Sequence, residues 1–206
     1  MGERNGAAGQ PLPGIPGVEI RPGDPICALY RERHERDDVL MPFLREGLSL
    51  GHKCLVGLYE QDTGPILDAI GDDLNAREAV STGQLEVIGA ADTIFRPEEF
   101  SIDNMIRLWE GIISAAVDAG PFELARLTAE CTWWDPQLPD FEALASYEAA
   151  LNAFAARRPV GFLCMYDMSE ITGSVIVDLL RTHPRLLLCG LLLPNPYYVP
   201  IPPDGG

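Results

Sequence analysis

The chain has 206 residues, 47% of them apolar, enough for one sizeable packed domain and too apolar for disorder. Its 31 acidic residues against 15 basic ones give a formal charge of -16, a field that repels nucleic acid and anionic membrane surfaces. No apolar run approaches the roughly 18 residues a membrane helix needs, and the N-terminus lacks a signal-peptide pattern, so a cytoplasmic protein with no membrane partner is expected.

Residues 1–21 are rich in Gly, Pro and Ala and are expected to form a flexible leader. The folded domain is expected over 22–193. Ile26–Tyr30 reads as a short strand, and Arg31–Asp38 as a charged loop entering a helix over Val39–Ser49 that Gly51 closes. Cys54–Tyr59 reads as a buried strand. Lys53, just before it, is the only lysine, so lysine chemistry is confined to one place. Helices over Gly64–Leu74 and Ala76–Ser81 precede a strand at Leu85–Ile88. Ala90–Phe100 has no period and is expected to be a loop. Ser101 has the character of a helix cap, and the apolar stripe from Met105 through Trp109, Ile112 and Ala116 predicts a long helix ending at Gly120. Leu124–Ala129 is a strand, Asp140 caps a helix through Ala156, Val160–Tyr166 is a strand, and Ser169 caps a helix through Thr182. Leu186–Leu193 is a last apolar strand. The proline-rich tail 194–206 cannot be a central strand and is expected to pack over the surface, with a second subunit as one place to do so.

Strands alternating with helices imply right-handed crossovers and an α/β fold, a mostly parallel central sheet covered by helices on both faces. Ligands of such sheets sit beyond the carboxyl ends of the strands. Those ends present Tyr30, Tyr59, Glu60, Glu130, Trp133, Trp134, Tyr166 and Asp167, a set suited to an apolar pocket with a few polar anchors. No GxSxG elbow, HExxH pair, dinucleotide fingerprint or P-loop is present, which argues against an enzyme.

Two sets of phrases carry a resemblance. Phe43-Leu44-Arg45-Glu46-Gly47 followed by Gly51 and a strand resembles the circadian-clock type of RecA-like ATPases, but Arg31–Asp38 has neither the glycines nor the lysine of a phosphate cradle. Asp24-Pro25-Ile26-Cys27-Ala28-Leu29-Tyr30, Pro42–Gly47, Gly51–Cys54, Ser81–Leu85, Thr128-Ala129-Glu130, Tyr147-Glu148-Ala149, Tyr166-Asp167 and Thr182-His183-Pro184 resemble, in order, the MEDS family of methanogen and methylotroph sensory domains. That resemblance implies a three-layer RecA-like fold without ATPase motifs. It further implies a sensory domain for a small hydrocarbon derivative, of a kind usually coupled to signalling output domains. With no output domain read in this chain, a stand-alone bacterial or archaeal domain with no cofactor is expected, signalling in trans to a histidine kinase or an anti-sigma-type regulator. The family typically has histidine where this chain has Pro25, which removes that residue as a ligand.

Glu130 is read either as a ligand anchor tuned by burial or as a loop hydrogen-bond acceptor. Trp133 and Trp134 are read as pocket wall or as core and partner surface. An alternative function is a metal- or thiol-based sensor using Cys27, Cys54, Cys131 and His52, with Cys164 as a further thiol. No CxxC or HxxxH spacing supports it, and strand cysteines are usually small buried hydrophobes. A cysteine-dependent enzyme built on Cys131 and a pure interaction scaffold with a vestigial pocket are the remaining alternatives.

Overall fold

The computed structural model describes residues 22–23, 25–58, 64–71, 75–89, 101–131, 141–171, 173–188 and 190–199, with the backbone alone described for 141–144. The expected positions Tyr59, Glu60, Trp133 and Trp134, the leader 1–21, the loop Ala90–Phe100 and the cap Asp140 lie outside these residues.

The elements are β1 (Pro25–Tyr30), α1 (Arg33–Ser49), β2 (Lys53–Leu58), α2 (Gly64–Ile70), α3 (Ala76–Ser81), β3 (Leu85–Gly89), α4 (Ile102–Ile113), β4 (Ala125–Glu130), α5 (Phe141–Ala155), β5 (Val160–Asp167), α6 (Gly173–Thr182), β6 (Arg185–Leu188) and β7 (Leu191–Pro194). The strands form one sheet in the order β3-β2-β4-β5-β1-β6-β7, with every pairing parallel except β6 with β7. This is the α/β architecture that the alternation of apolar strands and helices predicts. Period-two alternation sorts the buried strand side chains into two cores. Tyr30, Cys54, Val56, Leu163 and Met165 pack with α1, α2 and α3, whereas Cys27, Leu127, Phe162, Cys164 and Tyr166 pack with α4, α5 and α6.

Several boundaries differ from expectation, each for a local reason. Helix α1 begins at Arg33, not Val39, because its first turns are polar and carry no apolar period. Glu35 secures that end by accepting a hydrogen bond from the Arg31 N–H at 2.7 Å. Ser169 is not a helix cap; its N–H and hydroxyl both bond the Asp167 carboxylate at 2.8 and 2.6 Å, and α6 starts only at Gly173. The last apolar run is a hairpin, since Gly190 turns the chain at φ 72° and sends β7 back antiparallel to β6. Helix α4 does end in the widened turn Ser114–Asp118, capped at its start by Ser101, whose hydroxyl accepts from the Asn104 N–H at 3.1 Å.

The phrase around Gly47 is a docking joint. Gly51, at φ 73°, ends α1 in the left-handed region, and the His52 N–H returns to the Gly47 carbonyl at 2.9 Å. Arg126 of β4 reaches across to pair with Glu46 at 2.6 Å, donates to the Phe43 carbonyl at 3.1 Å and lies 5.4 Å over the Phe43 ring. Both partners of that ion pair are buried, and burial raises the Glu46 carboxyl above its usual range against the pull of Arg126. Lys53 is structural as well: its ammonium donates to the Gly83 carbonyl at 2.8 Å and pairs with Glu86 at 3.0 Å, tying β2 to β3.

A methyl group on Gly47 would stand 2.6 Å from both the Arg126 Cδ and the Cys54 Sγ. Gly47→Ala is therefore expected to cost about 1–3 kcal/mol through overpacking. Gly111→Ala, in α4 with open space around it, is expected to stabilise by about 0.5–1 kcal/mol. Urea denaturation of the two variants checks the opposite signs.

Candidate functional site

Two buried polar clusters lie on opposite faces of the sheet, one at the carboxyl ends of β1 and β4 and one under the middle of α5. The first joins β1, β4 and α1. Glu130, the last residue of β4, accepts hydrogen bonds at one carboxylate oxygen from the Tyr30 hydroxyl at 3.0 Å and from the Arg36 guanidinium at 2.9 Å. Register explains the meeting. Tyr30 stands beside Asp167 and Glu130 beside Met165 on the intervening β5, so both point to the α1 face across the end of that strand. Only two residues separate β1 from α1, which brings Arg36, one turn into the helix, over the same strand end. Arg36 also pairs with Asp37 at 2.7 Å. Burial first, then the negative charge of Glu130, pushes the Tyr30 phenol far above its ordinary value, so it stays a donor.

The second cluster lies under α5. Tyr166 donates to one carboxylate oxygen of Glu148 at 2.6 Å, and the other oxygen faces the His183 Nε2 at 3.3 Å. Cys164 completes a group whose ligating atoms all lie within 4.8 Å of one another. Glu148 and Cys164 also line a cavity of about 20 Å³ with Trp109, Tyr147, Leu151, Phe162 and Cys131. Its walls are mainly aromatic and aliphatic, with the Trp109 N–H held by the Tyr147 hydroxyl at 3.0 Å and the Trp109 ring edge-on to Phe162.

The strand-end residues expected to share one rim are thus divided: Tyr30 and Glu130 face α1, whereas Tyr166 faces α5. Asp167 holds the turn at Ser169. Cys54 and His52 stand apart from the other thiols, whereas Cys27 is the register partner of Cys164 and Cys131 shares a side-chain hydrogen bond with Cys164. Cys54 lies in the α1 core, Cys27 in the α5 core, Cys131 is half-buried at the end of β4, and His52 sits at the opposite end of the sheet where Arg126 donates to its Nδ1 at 3.2 Å. Burial pushes the thiols of Cys27 and Cys54 up, the latter to about 12, which makes both poor nucleophiles at neutral pH. Glu148 and His183 were not singled out as ligands from the sequence. The signals were their phrases Tyr147-Glu148-Ala149 and Thr182-His183-Pro184, whose polar residues sit where apolar ones would otherwise fill a core.

Fold and site together define a RecA-like α/β domain in which an internal arginine occupies the approach to the strand-end acid. Solved structures place the fold. The flagellar accessory protein FlaH of Methanocaldococcus jannaschii superposes with a TM-score of 0.57 over 85% of this chain and 77% of its own, at 11% identity. The uncharacterized protein PH0321 of Pyrococcus horikoshii, crystallised with an unknown peptide, gives 0.61 over 82% and 78%, also at 11% identity. The model of the MEDS family, the methanogen/methylotroph, DcmR sensory domain, matches residues 26–184, and the chain belongs to that family. The transcriptional repressor DcmR of Methylorubrum extorquens is 27% identical over 173 residues, 82% of this chain. The match takes in only 61% of the repressor's length. Family and relative give the chain a sensory, regulatory character. Among the described residues no helix is long and apolar enough to cross a membrane.

Glu130→Ala removes one of the two acids that Arg36 meets and leaves Asp37 as the other, and is expected to cost about 1–3 kcal/mol. Tyr30→Phe removes one hydrogen bond and is expected to cost about 0.5–1.5 kcal/mol. Chemical denaturation of both variants checks that ranking.

His52 supplies a pH-dependent contribution. Burial, and then the Arg126 charge, lowers its pKa from 6.5 to about 4. The unfolded chain therefore binds a proton in this window that the folded chain refuses, so stability is expected to fall as pH drops from about 6.5 towards 4. His52→Gln, which keeps an acceptor for Arg126, should flatten the upper part of that slope in denaturation midpoints measured between pH 7 and 5.

Proposed function

We propose that this chain is a non-enzymatic sensory domain that binds a small, largely apolar organic molecule in the cavity under α5 and signals its occupancy to a regulatory protein in trans. The observation that carries this is the aromatic-walled cavity between α5 and the central stretches of β4 and β5, with Glu148 and Cys164 among its polar groups. Its volume of about 20 Å³ is room for a single water. A larger guest enters only by moving a wall, so binding and conformational change are the same event. Nucleotide is disfavoured on the other face. The two residues between β1 and α1 leave no phosphate cradle, and Arg36 with Tyr30 occupies Glu130. The exposed Leu191 and Leu193 of the outer strand β7, with Tyr197 beyond it, offer an apolar surface suited to a protein partner.

Thermal unfolding against a panel of short alcohols, haloalkanes and amines tests the proposal, with Mg-ATP as the control. At least one small organic compound is expected to raise the melting temperature and change tryptophan emission, and Trp109→Phe should remove the emission change. Ala129→Val, which thickens the cavity wall, should abolish the shift. Stabilisation by Mg-ATP, or measurable nucleotide turnover, would overturn it.

A further inference from the structure

We propose that Glu148, Cys164 and His183 form a zinc(II) site with an open fourth position. The three residues come from α5, β5 and the end of α6, and their relative exposures are 1%, 5% and 0%. A carboxylate, a thiol and an imidazole are the donor types that zinc takes, and three protein ligands with one open position is the pattern of a zinc centre that binds an exchangeable ligand.

The imidazole is set for this role. Leu179 O, which can only accept, lies 3.1 Å from Nδ1, and the Thr182 hydroxyl lies 3.0 Å from the same nitrogen. With Nδ1 held by these two partners, the ring is oriented so that Nε2 is turned toward Glu148. A backbone carbonyl on the far nitrogen is the usual outer partner of a metal-bound histidine. The Glu148 carboxylate is oriented in the same way, since the Tyr166 hydroxyl holds Oε1 and leaves Oε2 facing the imidazole.

That leaves two buried acceptors opposed. Glu148 Oε2 and His183 Nε2 are 3.3 Å apart, yet neither makes a hydrogen bond. A cation between them satisfies both. In a tetrahedral zinc centre with Zn–N and Zn–O near 2.0–2.1 Å and Zn–S near 2.3 Å, ligand atoms stand roughly 3.3–3.7 Å apart. The Glu148–His183 separation already has that value, and the Cys164 Sγ lies within 4.8 Å of both atoms. On binding, the Cys164 S–H bond breaks, the sulfur bonds the metal and the proton leaves to solvent. The open position falls on the side of the cavity that Glu148 and Cys164 line, where there is room for one water. The inference shares Glu148 and Cys164 with the organic-ligand proposal, and zinc titration without any organic compound tests it separately.

The test is metal analysis of untagged protein expressed with added zinc, followed by chelation and titration with zinc(II) and cobalt(II). Stoichiometric zinc, a raised melting temperature on zinc but not magnesium addition, and a thiolate-to-cobalt charge-transfer band are expected. Cys164→Ser should abolish the band, and Cys164→Ser and His183→Gln should each weaken zinc binding by more than the roughly 10–100-fold typical of an outer partner. If those variants do not fold, the wild-type cobalt spectrum decides, a thiolate band supporting the site and its absence overturning it. Substoichiometric zinc with no thermal response, or zinc binding unchanged in both variants, overturns it as well.

Discussion

The short link between β1 and α1 governs what this domain can do. A phosphate-binding loop needs several residues of exposed backbone between strand and helix. Here two residues make the connection, and the helix starts close enough to the sheet for Arg36 to reach the end of β4. The strand-end carboxylate of Glu130 is therefore occupied by a guanidinium and a phenol of the same chain. A buried charge pair of this kind gives little net stability, but removing one partner costs the other a buried hydrogen bond. The α1 face is fixed in one arrangement, and it is satisfied without any ligand.

The α5 face differs in kind. Its aromatic walls surround free space, and its polar groups are only partly matched. Tyr166 holds one oxygen of Glu148 while the other oxygen and His183 Nε2 remain opposed. Buried polar atoms that lack partners are costly, so they persist where something outside the chain completes them. The sheet thus separates a structural network from an unfinished one. The proposed ligand site is on the unfinished one, since a group that is already satisfied has no differential affinity to offer a ligand.

The Gly47 joint shows why the helix phrase carries so much of the family likeness. Gly47 permits α1 to approach β2 and β4 within side-chain contact, Glu46 pairs with Arg126, and Phe43 lies beneath the same guanidinium. Each residue of Phe43–Gly47 except Arg45 meets the sheet or its core. The phrase resembles that of a nucleotide motor because it seats the helix, which is a task independent of phosphate.

Much of this was legible in the chain itself. Apolar strands alternating with helices fixed the α/β sheet, Ser101 and Gly51 marked helix ends through side-chain capping and a left-handed turn, and the missing glycines after Tyr30 removed the phosphate cradle. These are local properties, set by period, cap and turn within a few residues. Polar helix starts such as Arg33–Asp38 escaped, because periodicity registers only apolar positions. Which face each strand-end residue takes was decided by tertiary structure alone. One residue of register sends Tyr30 to α1 and Tyr166 to α5, and only the crossing order of the strands brings Glu148, Cys164 and His183, far apart in sequence, to one point.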